Sequence, residues 1–297
     1  MSKTKVRKAV IAAAGFGTRL LPQTKAMPKE MMPLVDKPII QHIVEELVDA
    51  GIEDIVIVTG YHKRSIEDHF DNMSADLRSN LKQSGKLELL EQTKKISDLA
   101  NFAYIRQKGP YGTATPVMNA AHLIGNEPFI YAFADDIVMA RPSRFKQMIA
   151  LYEEFGSTIV PCIHIENDED YDRYGVLGGQ YVRDDVIKMS GIIEKPGRSK
   201  APSNLACAGG YLLKPDVFSY IEKAKSNVKK DMEFYMTTFV LQPMIADGKS
   251  LYGCLIKNSK YYDTGNKLEY LKTVVEFGLK HDDIKNDFQS YLRDLMR

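Results

Sequence analysis

The first apolar segment of the chain, Val6 to Ala14, is small-residued and strand-sized, as expected of a central parallel strand covered on both faces. From Pro38 the spacing becomes helical. Ile39, Ile40, Ile43, Val44, Leu47 and Val48 fall on one stripe, with a proline at the start and Gly51 as a stop. Asp54 to Gly60 reads as a second buried strand and Lys63 to Phe70 as a short helix. Asp71 to Ala100 is polar, helix-prone and without strand signals, and predicts an insertion of one or two helices. Phe102 to Arg106 predicts a strand, Thr115 to Ile124 a helix, and Pro128 to Ala134 a strand ending in Asp135-Asp136. Pro142 to Phe155 then predicts a helix that buries Phe145, Met148, Ile149, Tyr152 and Phe155. Strand and helix alternating over short joints imply a parallel sheet with right-handed crossovers.

After Ser157 the texture changes. Short strand-like runs at Thr158–Ile165, Gly175–Gly179, Gly191–Pro196 and Ala208–Leu213 suggest a small antiparallel or mixed extension. Helices are expected at Asp216–Ala224 and Glu233–Ala246, a strand at Leu251–Ile256, and helices from Lys267 to Lys280 and Ile284 to Met296. The reading is α/β, a doubly wound, mostly parallel mixed sheet flanked by helices. Residues 1–265 form one domain with a helical insertion near 71–101, and 266–297 form C-terminal helices that cover it or meet another subunit.

Composition narrows the function. Among 297 residues, 40 Lys+Arg against 39 Asp+Glu leave a formal charge of +1, which argues against a general nucleic-acid binder. The longest apolar stretches are too short to span a bilayer, so no membrane partner is expected. Met1 to Arg7 is basic, but the apolar run behind it, Ala9 to Ala14, is too short for a signal peptide and soon meets Arg19. Cys162, Cys207 and Cys254 are far apart and show no metal spacing; they read as buried thiols in a reducing cytoplasm.

Candidate chemistry begins at Gly15-Phe16-Gly17-Thr18-Arg19. Glycines directly after a strand let backbone N–H groups close on phosphate oxygens. The pattern is neither a Walker A loop, for which the GxxxxGK[ST] spacing is missing, nor a dinucleotide fingerprint, since Leu20 stands where a third glycine is required. Prolines at 22, 28 and 33 stiffen a loop presenting Arg19, Lys25 and Lys29, a set suited to a polyphosphate leaving group. On residue type alone, Asp135-Asp136 fits a metal site and a helix cap equally well. The histidines at 42, 62, 69, 122, 164 and 281 form no triad, and nothing suggests covalent catalysis.

Gly15-Phe16-Gly17-Thr18-Arg19, continued through Pro28-Lys29-Glu30-Met31-Met32-Pro33, resembles the signature of the sugar-1-phosphate nucleotidylyltransferases. The likeness covers nearly the whole chain, through Ile66-Glu67-Asp68-His69-Phe70, Glu194-Lys195-Pro196, Pro202-Ser203-Asn204-Leu205-Ala206 and Asp263-Thr264-Gly265-Asn266-Lys267-Leu268. The branch using UTP and glucose 1-phosphate is the nearer match. The resemblance implies Arg19, Lys29 and Lys195 as the catalytic cations. It places Ala12, Ala13, Gly15, Gly17, Glu30, Gln107 and Gly112 on the nucleotide, and Gly175, Glu194 and Lys195 on the sugar phosphate. It also implies Mg²⁺ on Asp135 and Asp263, and a homo-oligomer, dimer or tetramer.

Three segments depart from the family pattern. A usual Gly-Leu-Gly-His-Ala becomes Pro110-Tyr111-Gly112-Thr113-Ala114. A usual Glu-Ile-Gln-Leu-Thr-Asp becomes Glu233-Phe234-Tyr235-Met236-Thr237-Thr238, and the Gly-Asp or Pro-Asp before the metal site reads Ala134-Asp135. They bear on which base and which sugar are used, and leave dTTP, another hexose 1-phosphate, or a non-catalytic nucleotide-sugar binder as alternatives.

Overall fold

The structure, a computed structural model, describes residues 4–229 and 232–297. The first three residues of the basic N-terminal stretch lie outside the described residues.

The chain opens with β1 (Lys8–Ala13), a small hairpin of β2 (Pro33–Leu34) and β3 (Lys37–Pro38), then α1 (Ile39–Asp49) and β4 (Asp54–Thr59). Next come α2 (Arg64–Phe70), α3 (Ala75–Gln83), α4 (Leu87–Ser97), β5 (Asn101–Arg106), α5 (Thr115–Ile124), β6 (Phe129–Phe133), β7 (Asp136–Ala140) and α6 (Arg144–Phe155). The second half holds β8 (Thr158–His164), β9 (Gly175–Arg183), β10 (Val186–Glu194), β11 (Leu205–Cys207), β12 (Gly210–Leu213), α7 (Val217–Lys225) and α8 (Gln242–Ala246). It closes with β13 (Leu251–Leu255), β14 (Ser259–Asp263), α9 (Lys267–Gly278) and α10 (Lys285–Leu295).

One ten-stranded sheet organises these elements, in the order β11-β9-β10-β13-β8-β12-β6-β1-β4-β5. β1 shows why it lies inside the sheet and not at an edge. Ala9, Ile11 and Ala13 pack on one face with α1 and α6, while Val10 packs on the other with α5 and α7. A strand buried on both faces cannot alternate apolar with polar, hence its continuous small-residue run. β4 pairs in parallel on one side of β1 and β6 on the other, so chain order reverses there. Open α/β sheets bind ligands in the crevice such a reversal leaves above the carboxyl ends of the strands.

The mixed α/β architecture follows the expectation, and the segment expected to be helical holds α3 and α4. The antiparallel share is larger than expected. β9, β10 and β11 form the antiparallel extension at one edge, joined to the sheet through β13 and β8, while β12 lies inside the sheet between β8 and β6. β9 runs on to Arg183 and β10 starts at Val186, because their polar, solvent-facing residues hide strand character in sequence. The helix expected from Glu233 begins at Thr237, as a π-helical turn leading into α8. β7 and β14 were not foreseen. They form their own antiparallel pair, with Asp136 opposite Asp263.

Candidate active site

The glycine loop leaves β1 above the crevice. Gly17 adopts φ 67° as it enters a 3₁₀ turn, and its carbonyl accepts from Thr24 Oγ1 at 2.7 Å. A Cβ there would stand 3.2 Å from Thr24 and 3.3 Å from Lys29, so the loop and the Lys29 stem close together only around glycine. Lys29 Nζ then reaches Asp135 Oδ2, 2.5 Å away. Burial works against both charges but their attraction prevails. The Lys29 ammonium sits above its ordinary pKa and the Asp135 carboxyl below its own, the latter also helped by Arg19 and Lys63.

Beneath this pair lies a second one. Glu30 is fully buried, and both its oxygens accept from Lys63 Nζ at 2.7 Å. Burial raises the Glu30 pKa and lowers that of Lys63. Glu30, expected on the nucleotide, thus has both oxygens on Lys63 and stands among the residues lining the cavity beside the pair.

Asp135 and Asp263 arrive from different strands. Thr264 Oγ1 donates to the Asp135 carbonyl at 2.7 Å, tying the end of β14 to the start of β7. Asp263 accepts from Arg173 and, at 2.8 Å, from the Gly265 N–H. Arg19 rests against Gly265, where a Cβ would come within 2.9 Å of its Nη2. Asp136, opposite Asp263, is pushed up to about 6 by burial and the Asp135 charge, and accepts from Tyr261 at 3.1 Å. Among the described residues no set of three or more His, Cys, Asp or Glu side chains could hold a metal ion by itself. Two carboxylates, each already against a cation, nevertheless offer the hard oxygen donors that a divalent ion completes with phosphate oxygens and water.

A cavity of about 530 Å³ opens beside the pair, lined among others by Ala12, Gly15, Gln107, Gly112, Lys29 and Asp135. Gln107 is placed by its own N–H, which donates to Thr59 O at 2.8 Å. Ala13 turns its side chain away into the core under α1. Gly112 (φ 130°) lies so close to Phe234 that a Cβ would sit 2.4 Å from its backbone nitrogen. The exposed rings of Phe16 and Tyr111 meet 5.3 Å apart at the mouth.

Across the crevice, β10 ends in Glu194 and Lys195. Glu194 Oε2 accepts from Thr237 Oγ1 at 2.7 Å, and a Cβ on Gly175 would stand 3.2 Å from that same oxygen. Lys195 Nζ donates to Tyr235 Oη at 3.2 Å. Segment 233–237 therefore spans the site. Glu233 lines the cavity, Met236 N donates to Thr113 Oγ1 at 2.9 Å, and Tyr235 and Thr237 touch Lys195 and Glu194.

Sequence reasoning missed Lys63, Arg173 and Thr264 as parts of this assembly, and met Tyr235 only as a departure from the family pattern. Lys63 carried one signal: a lysine directly before a short helix, soon after the end of β4. The link between Thr113 and Met236 had none, although Thr113 and Tyr235 stand out as departures.

The fold and site define an α/β domain that handles phosphates at a sheet switch point. A family model, nucleotidyl transferase, matches residues 8–277, and the chain belongs to that family. It is 42% identical to UTP–glucose-1-phosphate uridylyltransferase 1 of Staphylococcus saprophyticus, covering 98% of this chain and 99% of that protein. Among solved structures it resembles a UDP-glucose pyrophosphorylase complexed with UDP-glucose (TM-score 0.81, 36% identity, 93% of this chain and 100% of that one). It also resembles a UTP-bound enzyme of the same kind from Acinetobacter baumannii (TM-score 0.86, 30% identity, 98% and 100% covered). No helix among the described residues is long and apolar enough to cross a membrane.

Proposed function

We propose that the protein joins UTP and α-D-glucose 1-phosphate into UDP-glucose and pyrophosphate. The observation that carries this reading is segment 233–237, which reaches from the nucleotide cavity at Glu233 to Lys195 and Glu194 on the other half of the sheet. That link supports one site that takes two phosphorylated substrates side by side.

In the reaction, an oxygen of the sugar phosphate attacks the α-phosphorus of UTP. A new P–O bond forms as the bond to the bridging β-phosphate oxygen breaks, and pyrophosphate leaves with that electron pair. The attacking phosphate is already ionised at neutral pH, so no general base is needed. Arg19 and Lys29 neutralise the triphosphate, Lys29 exchanging Asp135 for a phosphate oxygen as the nucleotide enters. Lys195 holds the sugar phosphate in line, Glu194 accepts from sugar hydroxyls, and Gly175 leaves room beside them. The backbone of Ala12 and Ala13, with Gln107 and Gly112, takes the uracil edge, and Gly15 and Gly17 bring backbone N–H groups to the phosphates. Asp135 and Asp263 would hold Mg²⁺, which when bound supplies Lewis-acid charge to phosphate oxygens.

We take 1–265 as the catalytic unit and 266–297 as cover and subunit interface of a homo-oligomer. Exposed Leu268, Leu271, Tyr291 and Leu295 on α9 and α10 support the second role.

Pyrophosphate release tests the reading. UTP, dTTP, CTP, ATP and GTP are each offered with glucose 1-phosphate, galactose 1-phosphate and N-acetylglucosamine 1-phosphate. Release fastest with UTP and glucose 1-phosphate is the expected result. Preference for another pair moves the specificity, and binding without release marks a nucleotide-sugar binder.

A further inference from the structure

The two substrate-side lysines are held differently. Lys29 lies against a carboxylate, whereas Lys195 makes no ion pair among the described residues, and the neighbouring Glu194 is taken by Thr237. The Lys195 backbone sits at φ 46°, in the left-handed region that non-glycine residues avoid, and its N–H donates to Tyr174 O at 3.1 Å. That conformation aims the side chain at Tyr235. Nζ lies 3.2 Å from the phenol oxygen and 5.0 Å from the ring centroid. A phenol oxygen has lone pairs to accept with and an ammonium only protons to give, so the phenol accepts from Lys195.

We propose that Tyr235 is a positioning residue for the sugar phosphate. Its phenol holds the Lys195 ammonium in the sugar-phosphate subsite. A free lysine side chain loses rotamer freedom when it binds a ligand; one already held loses less. The holder is uncharged, so an arriving phosphate dianion takes over the ammonium without displacing a carboxylate. Lys195 stays cationic there, held above its ordinary pKa against burial by the Tyr235 hydrogen bond and by Glu194 and Glu233. The effect belongs to the sugar 1-phosphate and leaves the nucleotide untouched.

This inference rests on the functional reading above, and one experiment separates the two. Initial rates are measured for wild type, Tyr235→Phe and Tyr235→Gln, varying glucose 1-phosphate and UTP in turn. Tyr235→Phe keeps the ring over Lys195 and removes only the hydroxyl. It is expected to raise KM for glucose 1-phosphate about 5- to 10-fold, in the range that ordering one free, rotamer-rich side chain costs, with KM for UTP and kcat within about twofold. Tyr235→Gln, whose amide can accept from Lys195, is expected to restore part of the loss. An unchanged KM for glucose 1-phosphate in Tyr235→Phe overturns the inference. So does an equal rise in both KM values with a fall in kcat, which marks general damage. A wild type inert with this substrate pair overturns the functional reading itself.

Discussion

Lys29 and Asp135 meet at 2.5 Å, although one comes from the proline-stiffened loop after β1 and the other from the end of β6. The pair places a fixed cation and a carboxylate at the sheet switch point, where the proposed reaction has a nucleoside triphosphate shed pyrophosphate. Lys29→Ala is expected to lower kcat about 10²- to 10³-fold, as loss of one preorganised electrostatic group does. Asp135→Asn is expected to remove most Mg²⁺-dependent turnover, measured as initial rate across a Mg²⁺ titration. Near-full activity of Asp135→Asn at limiting Mg²⁺ would rule out Asp135 as the metal carboxylate.

Lys63 supports that pair from below. Lys63→Met leaves Glu30 charged, buried and alone, which should cost about 3–5 kcal/mol in urea unfolding. Adding Glu30→Gln removes the stranded charge and should recover much of the loss. Strict additivity of the two changes would deny the coupling.

Legibility followed distance along the chain. The Gly15–Gly17 turn, the stripe of α1 and the Asp135 strand end are local patterns, and the structure has them where expected. The β7–β14 pair was not legible. Its partners are remote in sequence, and Asp135-Asp136 reads as a break before Pro142. Thr113 and Met236 lie 123 positions apart, and Thr264 bonds a carbonyl 129 positions away. Residue type does not encode such pairings. The roles of the Asp263 and Glu194 side chains depend on Arg173 and Thr237, which look like ordinary surface polar residues in sequence.

Gly112→Ala probes the base side of the cavity. The added Cβ meets the Phe234 backbone at 2.4 Å, and φ 130° disfavours any side chain. The loop and segment 233–237 must then part, at a cost above about 2 kcal/mol. A lower Tm together with a raised KM for UTP is the expected outcome. An unchanged KM for UTP would place the base elsewhere.

His42 gives the fold a pH dependence. Its ring meets Phe277 of α9 edge-on at 5.1 Å, and Nε2 is buried without a hydrogen-bond partner among the described residues. Burial lowers its pKa from 6.5 to about 4, partly opposed by Glu45. The unfolded chain therefore binds the proton more readily. The contribution of neutral His42 is fully present above about pH 6.5 and is lost as pH falls toward 4, on the order of 3 kcal/mol in all. Urea unfolding of wild type and His42→Leu at pH 7.5, 6 and 4.5 checks this. The gap between them should move in favour of the variant as pH falls, and a constant gap would show that His42 does not titrate in this range.

The central claim is that one site holds UTP and glucose 1-phosphate together and transfers the uridylyl group directly between them. Phosphorus NMR of one sample containing enzyme, Mg²⁺, UTP and glucose 1-phosphate tests it most directly. UDP-glucose and pyrophosphate should appear in equal amounts, and neither should appear when glucose 1-phosphate is omitted. Persistence of both substrates, or pyrophosphate formed from UTP alone, would contradict the account.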